Sequence, residues 1–208
     1  MEIAIIGSGN MAHGIGTRMV AGKQTLTIYD RDGKKAAALA EKLGTGVHSD
    51  VLGNAIIGDI VIFALPYPAI SEIIKEHSEA FNGKVVVDIS NPVDFKTFTL
   101  IPPAGTSGAE EIAKHLPKGV VLVKAFNTTF AGTLVKGEVD GKKLDVFMAS
   151  ESKEAKEKLA SVINACGLRA LDAGALSVAR LLEAMQLLHM SMQASLGNTW
   201  MTAIKILQ

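Results

Sequence analysis

Short unbroken apolar runs alternate along this chain with segments whose apolar residues recur every three or four positions. The runs at Ile3–Ile6, Leu26–Tyr29, Ile60–Leu65, Val85–Ile89 and Val120–Lys124 predict strands. Between them, Ala12, Ile15 and Met19, then Ala36, Leu39 and Leu43, then Ile70, Ile73 and Ile74 predict helices with one apolar face. Strands that are apolar at every position are buried on both faces, which predicts a mainly parallel, doubly wound α/β sheet. The stretch Asn91–Pro103 breaks the periodicity and carries Pro92, Pro102 and Pro103, so a loop is expected after a strand end. Ser107-Gly108-Ala109-Glu110 has the spacing of a capping box and predicts a helix running to about Leu116. A strand at Leu144–Ala149, a charged helix at Ser152–Ile163 and a short strand at Leu168–Leu171 continue the alternation. The chain divides into a large unit, 1–150, and a small α/β and helical segment, 151–208.

No Asp, Glu, Lys or Arg occurs from Ala184 to Ile204. This pattern predicts a helix covered on more than one side. Gln186, His189, Gln193, Ser195, Asn198 and Thr199 recur too often for a membrane span. Leu181, Leu188, Met192 and Ser195 share one helical face, with Met185 and Leu196 on neighbouring stripes. A second copy is expected to cover part of that face, making a homodimer. Trp200 has two readings: packing in the core, the commoner fate of a lone tryptophan, or walling an aromatic pocket.

The first strand runs straight into a glycine turn, IAIIGSGNMA, and a helix beginning near Asn10. Gly7 permits the tight turn, Gly9 leaves room for a pyrophosphate against the backbone, and Ala12 lets the helix pack closely. The helix start then directs free N–H groups and the positive dipole end at the phosphates. With Asp30 closing the second strand, the pattern is that of a Rossmann-like dinucleotide-binding fold. Asp30 in that place favours NAD, by accepting hydrogen bonds from ribose hydroxyls. Arg31 and Lys35 supply cations for a 2′-phosphate and favour NADP. The residues alone leave both cofactors open.

Three later strand ends carry polar or ring-shaped residues: Leu65-Pro66-Tyr67, Ser90-Asn91-Pro92 and Ala125-Phe126-Asn127-Thr128. Ligands of open parallel sheets bind beyond the carboxyl ends of strands. Asn91 and Asn127 can hydrogen-bond a ribose or carboxamide, and the prolines can floor an apolar ring. Turn chemistry explains any one of these ends, whereas their recurrence at three points to a site.

Composition narrows the partners. Lys+Arg and Asp+Glu both number 21, so nothing electrostatic favours nucleic acid or an anionic membrane. The one cysteine, Cys166, lies among apolar neighbours and reads as an inert packed thiol in a reducing compartment. No basic segment precedes the first apolar run, so a cytoplasmic protein without a signal peptide is expected. The histidines show no metal-ligand spacing. His13 reads as a polar surface residue, and His189 as a hydrogen-bonded buried or interface residue, with general acid as its alternative role.

On GSGNMA, YDRDGKKA, ALPY (Ala64–Tyr67), ISNPV (Ile89–Val93), VKAFNT (Val123–Thr128) and LDAGALSVARLLE (Leu171–Glu183), the chain resembles the NADPH-dependent coenzyme F420 reductases over essentially its whole length. That family is also similar to the cytosolic domain of membrane ferric reductases. The resemblance implies hydride transfer between NADP(H) and a deazaflavin, coenzyme F420, or a related flavin. It assigns Ser8, Gly9, Asn10 and Met11 to the pyrophosphate, Arg31 and Lys35 to the 2′-phosphate, and Leu65 and Pro66 to the nicotinamide side. Asn91, Pro92, Ala125, Phe126 and Asn127 then border the ring site. Asp30 departs from the family, which more usually has a small polar residue there, and keeps NAD in play. Two other readings compete. Pyrroline-5-carboxylate reductases and β-hydroxyacid dehydrogenases share the glycine turn but append a large helical domain. A non-catalytic dinucleotide sensor needs no acceptor at all.

Overall fold

The computed structural model describes residues 1–207. In chain order the first strands are β1 (Glu2–Ile6), β2 (Thr25–Asp30), β3 (Val47–Val51), β4 (Ile60–Phe63), β5 (Val85–Asp88) and β6 (Val93–Asp94). The rest are β7 (Thr99–Leu100), β8 (Val121–Lys124), β9 (Glu138–Val139), β10 (Lys142–Lys143), β11 (Asp145–Ala149) and β12 (Arg169–Gly174). The helices are α1 (Asn10–Ala21), α2 (Gly33–Leu43), α3 (Tyr67–Glu76), α4 (Gly108–Ala113), α5 (Ala131–Lys136), α6 (Lys153–Ala165) and α7 (Ala179–Ser191).

The main sheet has the order β12-β11-β8-β5-β4-β1-β2-β3. Six strands, β3 to β8 in that order, run parallel. β11 joins β8 antiparallel through Ala149 and Lys124, and β12 runs parallel to β11. The order reverses at β1, which lies between β2 and β4. Ligands of doubly wound sheets bind in the crevice opened by such a reversal.

Alternate residues of β1 feed opposite faces, as strand geometry requires. Ile3 and Ile5 join a core with Ile15, Met19 and Leu159, on the side of α1 and α6. Ala4 and Ile6 join another with Ile73, Phe81 and Ile112, on the side of α3 and α4. There Phe63 and Phe81 meet edge to face at 5.3 Å. Cys166 is buried against Met19, and burial pushes its thiol up to about 11, so it stays protonated.

The structure corrects several expectations. β3 escapes the apolar pattern because it is an edge strand with mostly exposed side chains. The expected loop Asn91–Pro103 contains a short hairpin, in which Val93 and Asp94 pair with Leu100 and Thr99. Helix α4 ends at Ala113, before Leu116. The largest correction concerns 184–204. Helix α7 stops at Ser191, a 3-10 turn follows over Met192–Ala194, and the chain then reverses without regular structure. Gly197 at φ +80° and Asn198 at φ +54° are incompatible with a continuing α-helix.

The segment after the reversal returns to the sheet. Lys205 Nζ and the Ile206 N–H donate to Asp145 at 2.8 and 2.9 Å, and Arg169 donates to both Asp145 and the Ile206 carbonyl. Burial works against the Asp145 charge, but hydrogen bonds from Arg169, Lys205 and Ile206 overcome it and hold its pKa at about 2. Asp145 therefore remains an anion that pins the returning chain.

Candidate active site

Beyond the strand ends lies a cavity of about 470 Å³, within the size range of small-molecule sites. The turn from β1 to α1 contributes Gly9, Asn10 and Met11, and the end of β4 contributes Leu65, Pro66 and Tyr67. The end of β5 supplies Ser90 and Asn91, and the end of β8 supplies Asn127, Thr129 and Phe130. Gln186, Met190 and Trp200 close it from the C-terminal segment.

The two glycines of the first turn have separate jobs. Gly7 has φ +110°, and a side chain there would strike the backbone of Ala64. Gly9 has φ −80° and ψ −171°, values open to any residue, and a Cβ there meets nothing within 4 Å among the described residues. Gly7 is therefore needed by the fold, whereas the space over Gly9 is free for a ligand. As the N-cap residue, Gly9 has no side chain to bond the first N–H groups of α1. A phosphate is the natural partner for such a helix start.

Ser8 Oγ donates to Asp30 Oδ2 at 2.6 Å, and the Asp32 N–H donates to Asp30 Oδ1 at 3.0 Å. The Asp30 carboxylate is thus tied to the glycine turn. Arg31 and Lys35 are exposed, and Arg31 lies 3.7 Å from Glu72 in a solvent-facing pair. Exposed pairs contribute little, so the guanidinium can exchange Glu72 for a stronger anion.

Asn91 and Asn127 bond chiefly to each other. Asn91 Nδ2 donates to the Asn127 carbonyl at 2.9 Å, and Asn127 Nδ2 donates to Asn91 Oδ1 at 3.0 Å and the Leu182 carbonyl at 3.2 Å. Two buried oxygens of the lining, Ser90 Oγ and Asn127 Oδ1, find no partner among the described residues. Unpaired buried oxygens are rare and suit a ligand that donates hydrogen bonds, such as a carboxamide. Pro92 and Ala125 stand behind the lining instead of in it. Pro92 is buried against Gly108, and Ala125 and Phe126, just past the end of β8, are fully buried.

Beneath the site is a charge cluster that no local spacing announces. Lys124 is fully buried and donates to Asp88 Oδ2 at 2.7 Å, the Ser90 carbonyl at 2.7 Å and Glu183 Oε1 at 2.8 Å. All three ammonium donors are used. Burial disfavours the charge, yet Asp88 and Glu183 outweigh it and raise the Lys124 pKa above the ordinary 10.5. Glu183 also accepts from the Gly108 and Ala109 N–H groups at 2.9 and 3.2 Å. It therefore caps α4 together with Ser107. Four elements beneath and around the site, β5, β8, α4 and α7, are tied at one point.

His189 is buried, as expected of a hydrogen-bonded histidine, and burial lowers its pKa. Its Nε2 lies 2.8 Å from Thr202 Oγ1, which accepts from Gln193 Nε2 at 2.9 Å, so the hydroxyl donates to a neutral ring. Nδ1, at 3.3 Å from Gln186 Oε1, then carries the proton. This wiring holds the returning chain on α7. His13 lines a neighbouring cavity beside Asn10. Among the described residues no cluster of His, Cys, Asp and Glu could hold a metal ion, and no helix is long and apolar enough to cross a membrane.

A doubly wound sheet, a free helix start over a glycine turn and an adjoining apolar cavity define a dinucleotide-dependent oxidoreductase fold. A family described as "NADP oxidoreductase coenzyme F420-dependent" matches residues 2–92. The F420-dependent NADP reductase of Methanocaldococcus jannaschii is 31% identical over 203 residues, covering 88% of each chain. The chain belongs to the F420-dependent NADP reductase family. It is also 30% identical to the rat metalloreductase STEAP3 over 89% of its length, but spans only 36% of that protein. A crystal structure from Arthrobacter sp. FB24 superposes with a TM-score of 0.87 at 24% identity, over 99% of both chains, and shares the fold.

Proposed function

We propose that this protein is a cytoplasmic NADP-dependent oxidoreductase that passes a hydride between NADP(H) and coenzyme F420 or a related flavin. The observation that carries this reading is the continuity of the Gly9 phosphate space with the apolar cavity. One end suits a pyrophosphate, and the other, lined by Leu65, Pro66, Phe130 and Trp200, suits flat apolar rings. The reduced nicotinamide supplies a hydride from C4, and C5 of the deazaflavin receives it, with the accompanying proton taken from water at the mouth.

The chain's own residues bind, orient and exclude water. Ser8, Gly9, Asn10 and Met11 hold the pyrophosphate, and Ser90 Oγ and Asn127 Oδ1 orient the carboxamide. Leu65 and Pro66 floor the ring, while the C-terminal segment, 151–208, completes the acceptor side. Proximity and a dry cavity are the protein's contributions to such chemistry, so a catalytic acid–base pair is unnecessary. Consumption of NADPH with coenzyme F420, FMN, FAD and ferric chelates tests the reading. Rapid turnover with a deazaflavin or flavin is expected, and no NADPH consumption with any ring acceptor would leave only a sensor.

NADP(H) is preferred over NAD(H) through Arg31. Asp30 is already engaged by Ser8 and the Asp32 N–H, while Arg31 is held only by an exposed partner. A charge-assisted hydrogen bond to a phosphate contributes roughly 1.5–3 kcal/mol, or about ten- to a hundredfold. Arg31→Ala is expected to lose that factor for NADPH and little for NADH, and Asp30→Ser to sharpen the preference. Tighter NADH binding by the unaltered protein would assign the site to NAD.

The protein acts as a homodimer. Leu181 and Leu188 on α7 are 62% and 60% exposed, and Met192 and Leu196 extend the stripe. The stripe carries no charge, so a second copy about a two-fold axis matches it. Gln186 and Met190 of the same helix line the cavity, which sets the acceptor pocket beside that interface. Light scattering is expected to give twice the chain mass, and Leu188→Glu to halve it. A monomeric unaltered protein with full activity would remove the dimer.

A further inference from the structure

We propose that Trp200 selects a flat, fused-ring hydride acceptor by offering its indole as the wall on which that ring lies. This role rests on the hydride-transfer reading above. Trp200 follows α7 in the reversing segment, and it has φ +53° in a stretch where Gly197 and Asn198 are also left-handed. A bulky residue in that region is strained, and such strain persists only where the surroundings impose it.

The surroundings here do impose it. The Asn198 N–H donates to the Gln193 carbonyl at 2.8 Å, which fixes the start of the reversal. Thr202, held by His189 and Gln193, fixes its end. Between them Met201 seats on Gly132, where any Cβ would come within 2.6 Å of the Met201 sulfur. The indole is thereby presented at one place. It meets Phe130 nearly at right angles, with ring centres 5.2 Å apart, and Phe130 in turn packs on His189 at 4.5 Å.

Despite this support Trp200 remains 43% exposed. It stands between the site cavity and a second cavity of about 450 Å³, and both are lined by Asn10, Phe130, Ala131 and Trp200. An aromatic ligand accounts for the strain, the bracing by Phe130 and the open surface together. A stacked fused ring gains from this wall, whereas a small non-aromatic acceptor gains nothing, so the wall discriminates between them.

The test uses full-length protein holding NADP, with Trp200→Ala and Trp200→Phe as variants and circular dichroism as the check on folding. Lumiflavin, a bare fused ring, is titrated by equilibrium dialysis, and the KM for coenzyme F420 and the Kd for NADPH are measured alongside. Trp200→Ala is expected to weaken lumiflavin binding and raise the F420 KM by about tenfold or more, with Trp200→Phe restoring most of both. NADPH affinity should fall far less than lumiflavin affinity, because the phosphates are held by the backbone N–H groups of the Gly9 turn and not by the indole. Equal lumiflavin binding by the unaltered protein and Trp200→Ala, or none by either, would overturn the role of Trp200. Trp200-dependent ring binding without any F420 or flavin turnover would instead overturn hydride transfer and leave the wall standing.

Discussion

Gly9→Val is expected to weaken NADPH binding at least about a hundredfold while leaving the protein folded. Valine's branched side chain would occupy the space over the start of α1, where the phosphates need to approach bare N–H groups. Each charge-assisted hydrogen bond lost there costs roughly 1.5–3 kcal/mol, so losing two reaches that factor. The fold should tolerate the change, because Gly9 has an extended backbone and its Cβ direction is open for 4 Å among the described residues. Stability should fall by no more than about 1 kcal/mol, the cost of a valine in place of glycine as an N-cap residue. Gly7→Ala is the contrasting case, since φ +110° and the Ala64 backbone make it a defect of folding. Calorimetric titration and thermal unfolding of the two variants separate these roles. Unchanged NADPH affinity in Gly9→Val would remove the glycine turn from the site.

Lys124→Met is expected to cost about 3–5 kcal/mol of stability, because it leaves Asp88 and Glu183 as buried carboxylates without their cation. The damage should not stay local. Glu183 caps α4 and belongs to α7, so its displacement loosens the helix that carries Gln186 and Met190 into the cavity. Urea unfolding checks this through a lower midpoint with an unchanged slope. A loss under about 1 kcal/mol would show that the ammonium is not what ties these elements together.

These two sites also mark how far the sequence can be read. The glycine turn is legible because its determinants are contiguous: a buried strand, a turn and a helix start within ten residues. The Lys124 cluster is not, because its partners lie 36 and 59 residues away. Asp88 and Lys124 each follow three valine or leucine residues, and charges in such places ordinarily mark solvated strand ends. The two are direct partners in register on adjacent parallel strands, so opposite charges meet at the same depth, but that pairing appears only once β5 and β8 are neighbours. The uncharged stretch 184–204 misled for a related reason. Absence of charge implied burial in one long helix, but Gln193, His189 and Thr202 satisfy one another across a reversal. Their pairing depends on the left-handed turn at Gly197 and Asn198, which apolar periodicity does not register. Asn91 and Asn127 lie past the ends of β5 and β8, as their spacing predicts, yet their mutual hydrogen bonds only appear once β5 and β8 are neighbours.

Direct passage of hydride between two rings in one cavity is open to test by isotope transfer. NADPH carrying deuterium on one or the other face of nicotinamide C4 is mixed with coenzyme F420 and enzyme in ordinary water. If Leu65, Pro66 and Asn127 pin the ring as proposed, it presents one face only. About one deuterium is expected at C5 of each reduced deazaflavin from one labelled form, and none from the other. Deuterium lost to water, or reaching the acceptor equally from both faces, would contradict it.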